Sequence, residues 1–213
     1  MAIKGELFSG DMVKAFLENR KGRTSRPIKN IRAKCFHDVD TNEPCQMYAI
    51  GNGSWCCKEE LISYAKYQPG DIMYCRETWR IHDLNEPAFC MMVDYKADNH
   101  AELQIEFKPS RFDKFKKFFK KFGWILSIFM PREAARLWFR VTDVKVQNIV
   151  DMTEEDAEQD GFINTMQKDV FGTEIHTALQ AFQTFWNAQY GTESPWMYVY
   201  YLEKISKEEA LKA

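Results

Sequence analysis

The sequence has no excess of charge of either sign. Its 213 residues include 29 Lys and Arg against 31 Asp and Glu, so the formal net charge is -2. A balanced chain of this kind exerts no global attraction on polyanions. Any contact with nucleic acid must therefore come from a local cluster of cations.

Long apolar runs are also missing. No stretch reaches the roughly 18 to 20 apolar residues that cross a bilayer, and the first ten residues, MAIKGELFSG, do not resemble a secretory signal. We therefore expect no membrane span and a cytoplasmic location. In the cytosol the six cysteines are expected to be reduced thiols rather than disulfides.

The cysteines lack the CxxC spacing that is typical of zinc sites. Cys35, His37, Cys45, Cys56 and Cys57 include enough ligands for one zinc ion, which keeps zinc as a minor alternative. Their spacing, C-x-H followed by one Cys and then an adjacent pair, does not form a zinc knuckle. The sequence thus predicts neither a metal nor a cofactor.

The apolar content is sufficient for one elaborated domain, since 45% of the residues are hydrophobic. The residue pattern predicts helices over residues 11–19, 153–159 and 174–189, the second one opened by a capping box of Thr153 and Asp156. Apolar runs predict strands over residues 72–79, 88–97, 137–150 and 195–205. Residues 30–66 show no clear period and are interpreted as an insertion. The expected class is α+β or a small barrel.

A cluster of cations follows the first predicted helix. Arg20, Lys21, Arg23 and Arg26 lie within seven residues. Four cations on a loop are adequately explained as phosphate ligands.

The predicted strand over residues 72–79 carries three further candidates for a nucleic-acid site, Arg76, Glu77 and Trp79. Because side chains alternate along a strand, Glu77 faces away from Arg76. Glu77 then pairs with a loop cation or reads a base donor, or it forms an internal salt bridge that positions the 20–26 loop. Trp79 is a candidate to stack on a base, with a place in the core as the alternative.

A second basic cluster lies between the predicted strands. Residues 108–121 hold seven Lys or Arg against a single Asp, and phenylalanines recur among them at helical spacing. We interpret residues 108–122 as a basic amphipathic helix that binds nucleic acid, an anionic membrane surface or a partner protein, or that simply packs its phenylalanines on the fold. The nucleic-acid-binding candidates here are Lys116, Lys117, Lys120 and Lys121.

Five segments together resemble the ASCH-domain proteins carried by bacteriophages and prophages. They are NRKGRTSR (19–26), YQPGDIMYCRETW (67–79), MPREAARLWFRVTDVKVQNI (130–149), MTEEDAEQDGF (152–162) and SPWMYVYYLEKI (194–205). The blocks cover about a third of the chain, and their order makes the resemblance specific.

The resemblance implies a PUA-like (ASCH) small β-barrel with flanking helices. On this interpretation residues 1–205 form one domain with insertions at about 30–66 and 108–129, and residues 206–213 form a tail. The implied function is binding of RNA, single-stranded DNA or a modified nucleoside in the cytosol of a bacterial host. The implied cleft is lined by the 20–26 loop, Arg76, Glu77 and Arg132. Binding of a host protein through the 108–122 helix is an alternative.

The resemblance also implies an enzymatic alternative, because some small ASCH proteins are amidohydrolases that deacetylate N4-acetylcytidine. The positions that match their catalytic groups are Lys21, Thr24 and Asp160. A lysine among like charges has a depressed pKa, which would make its neutral amine a base for the Thr24 hydroxyl. Two positions depart from the pattern: Asp160 replaces a Glu, which displaces the acid by about 1 Å, and Gly22 replaces a Thr, which loosens the loop.

Overall fold

The structure is a computed structural model that describes residues 1–37, 44–98, 100–119, 123–169, 172–191 and 195–212. The strands are β1 (Ile3–Leu7), β2 (Arg23–Pro27), β3 (Ile31–His37), β4 (Pro44–Ile50), β5 (Ile72–Arg76), β6 (Trp79–Asn85), β7 (Cys90–Tyr95), β8 (His100–Glu106), β9 (Trp138–Asn148), β10 (Thr165–Asp169), β11 (Gly172–His176) and β12 (Trp196–Ile205). The α-helices are α1 (Gly10–Leu17), α2 (Lys58–Ser63), α3 (Pro109–Lys116), α4 (Glu154–Gln159), α5 (Ala178–Tyr190) and α6 (Lys207–Lys212). Short 3₁₀ helices span Ser127–Phe129, Arg132–Ala134 and Ile149–Asp151.

The fold is α+β, as predicted. Among the described strands no sheet closes into a barrel. The chain divides into two compact units, residues 1–19, 71–140 and 204–213 in the first and residues 20–70 and 141–203 in the second. Within the described residues, no helix combines the length and the apolar character needed to cross a membrane.

The first unit contains two groups of strands. β1 runs parallel to β5, and β5 pairs antiparallel with the start of β9. β6, β7 and β8 form an antiparallel sheet of three strands. The predicted strand over residues 72–79 is therefore two strands, because β5 ends at Arg76 and β6 begins at Trp79.

Aromatic side chains dominate the core of the first unit. Trp79, Tyr95 and Trp138 are completely or almost completely buried there. Two of their polar atoms are satisfied by backbone carbonyls: the Tyr95 hydroxyl donates to Ala134 at 2.6 Å, and the Trp138 indole donates to Ala135 at 2.9 Å. Tyr95 and Trp138 thus enter the core with their polar groups paired, whereas the buried Nε1 of Trp79 has no hydrogen-bond partner among the described residues.

The basic segment of the first unit is helical over a shorter range than predicted. α3 ends at Lys116, and residues 120–122, including the predicted Lys120 and Lys121, lie outside the described residues. Phe112 and Phe115 are buried on the core side of α3, which is the packing alternative that its phenylalanine spacing allowed.

In the second unit β12 lies between β9 and β2, and it pairs antiparallel with β2. Two hairpins, β3–β4 and β10–β11, accompany these strands. The expected insertion over residues 30–66 thus contains a regular hairpin and α2. The predicted loop at 20–26 becomes a strand from Arg23 onward.

Two capped helices pack on each other in the second unit. The capping box of Thr153 and Asp156 opens α4 as predicted, and Gly161 follows the helix with φ 95°. α5 begins at Ala178, later than predicted, because a second capping box of Thr177 and Gln180 sets its start. The carboxylate of Glu154 accepts from the backbone N–H of Ala178 at 2.6 Å, so the first residue of α4 also caps α5.

A buried ion pair organises the segment after β5. Arg136 donates two parallel hydrogen bonds of 2.9 Å to the Glu77 carboxylate, and its Nη1 donates to Asp98 at 2.8 Å. The Glu77 side chain is almost fully buried, and this burial raises the pKa of Glu77 above its usual value. Glu77 therefore forms an internal salt bridge with Arg136, whereas the predicted alternative was a salt bridge that positions the 20–26 loop.

Replacing Arg136 by Met is expected to lower the free energy of unfolding by about 3–5 kcal/mol, because it leaves the Glu77 charge buried without its partner. Burial raises the folded-state pKa of Glu77, and Arg136 partly opposes that shift, so removing Arg136 raises the pKa further and the folded variant takes up a proton more readily than the unsubstituted protein does. The loss should therefore shrink as the pH falls from neutral towards the usual value of 4.5.

Urea unfolding at several pH values measures this effect. Lys145→Met serves as control, because the Lys145–Asp143 pair is solvent-exposed on both sides and should contribute less than about 1 kcal/mol. An Arg136→Met variant as stable as this control would refute the structural role of the pair.

Candidate functional site

The basic segment enters the second unit through Gly22, whose backbone is bonded on two sides. Its N–H donates to the carbonyl of Gln159 at 2.9 Å, and its carbonyl accepts from the N–H of Leu202 at 2.8 Å. These bonds hold the segment between the end of α4 and β12. The side chains of Lys21 and Arg23 therefore start beside the C-terminal end of α4.

Asp160 lies at that end of α4 and collects three side-chain donors. Lys21 Nζ donates to Oδ1 at 2.9 Å, while Arg23 Nε at 3.2 Å and Ser25 Oγ at 2.7 Å donate to Oδ2. The exposed side-chain fractions of Lys21, Arg23 and Asp160 are 2%, 0% and 3%. The contact between Lys21 and Asp160 joins two of the three predicted catalytic positions.

Arg23 extends this network to a second carboxylate. Its Nη1 donates to Asp156 Oδ1, and its Nη2 donates to Gln147 Oε1 at 3.0 Å. Gln147 Nε2 in turn donates to Asp156 Oδ2 at 2.9 Å. Two cations and two carboxylates are thus held together, and their opposite charges compensate one another. We call this set, Lys21, Arg23, Asp156 and Asp160, the buried network.

Burial perturbs the titration of the network. Loss of water lowers the pKa of the Lys21 ammonium below its usual value; Asp160 opposes this shift, whereas the charges of Arg26 and Arg23 add to it. Burial alone would raise the pKa of Asp156, but hydrogen bonds from Gln147 and Thr153 and the charge of Arg23 lower it overall. The network therefore favours an ionised Asp156 and eases deprotonation of Lys21.

Thr24 is also buried, on a different face of β2. Side chains alternate along a strand, so Thr24 and Arg26 point away from the face that carries Arg23 and Ser25. On that opposite face Arg26 Nη1 donates to the Thr24 hydroxyl at 3.0 Å and to the Ser25 carbonyl at 2.9 Å. Thr24 pairs in register with Tyr200 of β12.

An open cleft of about 390 Å³ lies next to this junction. Arg20 and Gln159, the sequence neighbours of Lys21 and Asp160, are among its lining residues. Phe162 and Ile163 supply apolar surface, and Glu155 supplies one of its carboxylates. Arg20 Nη1 also donates to the carbonyl of Gly161 at 2.9 Å, which fixes the arginine at the rim. The volume lies within the range of small-molecule sites.

The remaining predicted residues belong to the first unit. Arg76 donates to the carbonyl of Ile128, Arg132 is exposed, and Lys117 lies over the ring of Phe118 at 5.6 Å. Lys116 forms a salt bridge with Glu86 at 2.8 Å. Trp79 is fully buried, which places it in the core rather than on a surface where a base can stack.

Two cysteines of the set considered as zinc ligands have structural roles. The Sγ of Cys57 accepts from the backbone N–H of Glu60 and caps α2, and Cys56 is buried. Across the part of the chain that the structure describes, no group of three or more His, Cys, Asp and Glu is placed to hold a metal ion.

The sequence did not reveal the partners of Arg23 in the buried network. Asp156 was identified only as part of a capping box, and Gln147 as a strand residue. The spacing of the two aspartates could have indicated a shared partner. Asp156 and Asp160 are four residues apart, so they lie on the same side of α4 and its C-cap.

Asp160→Asn is expected to lower the free energy of unfolding by about 3–5 kcal/mol, because Lys21 and Arg23 lose the charge that compensates them in a buried setting. Lys21→Met should cost less, since it removes a buried charge while Arg23 and Ser25 still satisfy Asp160. Chemical denaturation measures both values.

The matched control is Asp143→Asn, at an exposed aspartate of β9 whose ion pair contributes little. Equal stability of the Asp160→Asn and Asp143→Asn variants would contradict the structural importance of the network.

Comparison of the chain with protein-family models, with curated proteins and with solved structures gives no significant match.

Proposed function

We propose that the chain is an ASCH-type protein of the PUA-like superfamily, and that the buried network adjoins a site for a nucleoside with an acylated exocyclic amine. N4-acetylcytidine is the model ligand, and hydrolysis of its amide is the proposed reaction. The observation that carries this proposal is the contact of Lys21 with Asp160 in a buried setting that lowers the pKa of the lysine. Ionisable groups perturbed in this way cluster at functional sites.

Burial changes the interpretation of the basic segment. Lys21 and Arg23 were both candidates for phosphate binding, yet each is buried against a carboxylate. A phosphate that approached them would first have to displace Asp156 or Asp160. Phosphate binding by four equivalent cations therefore accounts for the segment less well than chemistry at Lys21.

The cleft beside Arg20 gives the ligand a place to bind. It combines an apolar part at Phe162 and Ile163 with polar groups at Arg20 and Glu155. A nucleoside has matching parts, because its base presents a flat apolar face and its ribose presents hydroxyl donors. Carboxylates accept hydrogen bonds from such hydroxyls.

The proposed reaction uses Thr24 as nucleophile. In this structure Thr24 lies on the face of β2 opposite the buried network, so Lys21 must first leave Asp160 and turn towards that face. The neutral amine then removes the Thr24 hydroxyl proton, and the oxygen attacks the acyl carbon. The carbon–nitrogen bond breaks, and Lys21 returns the proton to the departing amine. Water then hydrolyses the threonyl ester and releases the carboxylic acid. The Arg26 guanidinium, which already donates to Thr24, favours the negative charge that develops on that oxygen.

Purified protein is expected to release cytidine from N4-acetylcytidine, with a rate that rises with pH as Lys21 loses its proton. Lys21→Met and Thr24→Val should each lower the rate by at least about 100-fold, the usual contribution of a positioned acid–base group. Chromatographic detection of cytidine measures the rate, and Lys145→Met is the matched control at an exposed lysine.

Two outcomes would reject the hydrolase. One is the absence of cytidine at high protein concentration, and the other is cytidine release that Lys21→Met leaves unchanged. Circular dichroism of each variant separates loss of chemistry from loss of fold.

A second function, binding of RNA or single-stranded DNA without chemistry, is favoured by the geometry of Arg26. Its guanidinium donates to the Thr24 hydroxyl and to the Ser25 carbonyl in a half-buried position. Such anchoring fixes the direction of the guanidinium before a ligand arrives, which reduces the entropy lost on binding a phosphate.

For this second function, the affinity for a single-stranded oligonucleotide should fall with rising salt. Arg26→Ala should reduce the slope of log K against log salt concentration by about 0.7, the value for one phosphate contact to a single strand. Fluorescence anisotropy measures the slope, and a slope that Arg26→Ala leaves unchanged would exclude Arg26 from the interface.

A further inference from the structure

The segment after α3 in the first unit carries a group of exposed apolar side chains. Leu126, Ile128 and Phe129 are exposed by 65%, 55% and 51% of their full area. They lie within the four positions 126–129, at the 3₁₀ helix Ser127–Phe129. We call these three residues the apolar ridge. Bulky side chains scattered singly on a surface need no explanation, but a compact group of three does.

The ridge is held in place at both ends. On one side Ile125 is buried and exchanges two backbone hydrogen bonds with Trp79, at 2.7 and 3.1 Å. On the other side Met130 is buried, and its sulfur accepts from the backbone N–H of Glu77 at 3.1 Å. Arg76 also donates to the carbonyl of Ile128, within the ridge. The exposure of the ridge is therefore built into the fold and does not arise from a frayed end.

Two successive ring contacts lead from the ridge towards two cations of α3 and its C-cap. Phe129 lies 6.0 Å from Phe118, and Phe118 stacks on Phe115 at 6.1 Å. The ammonium of Lys117 lies 5.6 Å from the Phe118 ring, and that of Lys114 lies 5.9 Å from the Phe115 ring. Both lysines are exposed. Exposed apolar side chains thus adjoin exposed positive charge.

We propose that the apolar ridge, together with Lys114 and Lys117, docks the protein on the surface of an anionic lipid bilayer. Leu126, Ile128 and Phe129 enter the boundary between headgroups and acyl chains, and the two lysines contact anionic headgroups. Peripheral membrane binding generally combines these two contributions, buried apolar area and attraction to anionic lipid.

Other occupants fit the surface less well. Nucleic acid would satisfy the lysines, but it offers no apolar volume for aliphatic side chains such as Leu126 and Ile128. A second copy of the chain would bring its own ridge and also its own Lys114 and Lys117, so that like charges would meet. A lipid surface satisfies the apolar and the charged parts together.

Co-sedimentation with lipid vesicles tests the proposal. The full chain is expected to sediment with vesicles of phosphatidylcholine and phosphatidylserine, and to stay in the supernatant with vesicles of phosphatidylcholine alone. Two double variants, Leu126→Ser with Ile128→Ser and Lys114→Glu with Lys117→Glu, should each lower the partition coefficient at least about tenfold.

Matched controls lie in the second unit, where Val150 is exposed by 78% and Lys145 lies on the surface. Val150→Ser and Lys145→Glu should leave vesicle binding unchanged. All the substituted side chains are exposed, so each variant is expected to fold, and circular dichroism verifies this.

Three results would overturn the proposal. The first is the absence of sedimentation with anionic vesicles. The second is sedimentation that the ridge variant leaves unchanged. The third is binding to a single-stranded oligonucleotide, but not to vesicles, that the lysine variant abolishes, which would assign the surface to nucleic acid.

Discussion

The second unit depends on how one buried carboxylate is neutralised. Asp160 is placed at the end of α4, where a negative charge cannot remain without donors, and β2 supplies them through alternate residues, Arg23 and Ser25. Lys21 adds a third donor from just before the strand. A shift of one residue in β2 would turn Arg23 and Ser25 away and bring Thr24 and Arg26 to Asp160. The network therefore determines which side chains of β2 face the end of α4.

Such a network adds little net stability, since the cost of removing its charges from water offsets much of their attraction. Its main effect is to favour the observed orientation of β2 over other compact arrangements of the same chain. The same desolvation that limits its stabilisation lowers the pKa of Lys21, so the structural and the proposed chemical roles share one physical cause. The burial that orients β2 would thus also produce the lysine that the proposed reaction uses for proton transfer.

Elements with strong local signals were the ones that the sequence predicted well. The Thr153–Asp156 capping box set the start of α4, and the apolar runs located β7, β9 and β12. β12 has the predicted bounds to within one residue, whereas β7 and β9 are shorter than predicted. The start of α5 was predicted too early, although Thr177 and Gln180 carry the same capping signal as α4. The β3–β4 hairpin was missed because most residues of β3 are exposed and so show no alternation of apolar and polar side chains.

The site was only partly predictable, because its defining contacts join residues far apart in the chain. The resemblance grouped Lys21 and Asp160 as members of one catalytic set, whereas the pairs Arg23–Asp156 and Glu77–Arg136 could be identified only from the fold. The sequence gives the types of charge present. Burial decides which of these charges meet a partner within the protein, and burial depends on packing across distant segments.

The double role of Glu154 has a consequence for local motion. Its carboxylate accepts from the backbone N–H groups of Ala178 and Leu179, so the first turn of α5 is closed by the first residue of α4. Neither helix can fray at its start without breaking a bond to the other. The amide hydrogens at the starts of both helices should therefore exchange with solvent through one shared opening, as members of a single cooperative unit.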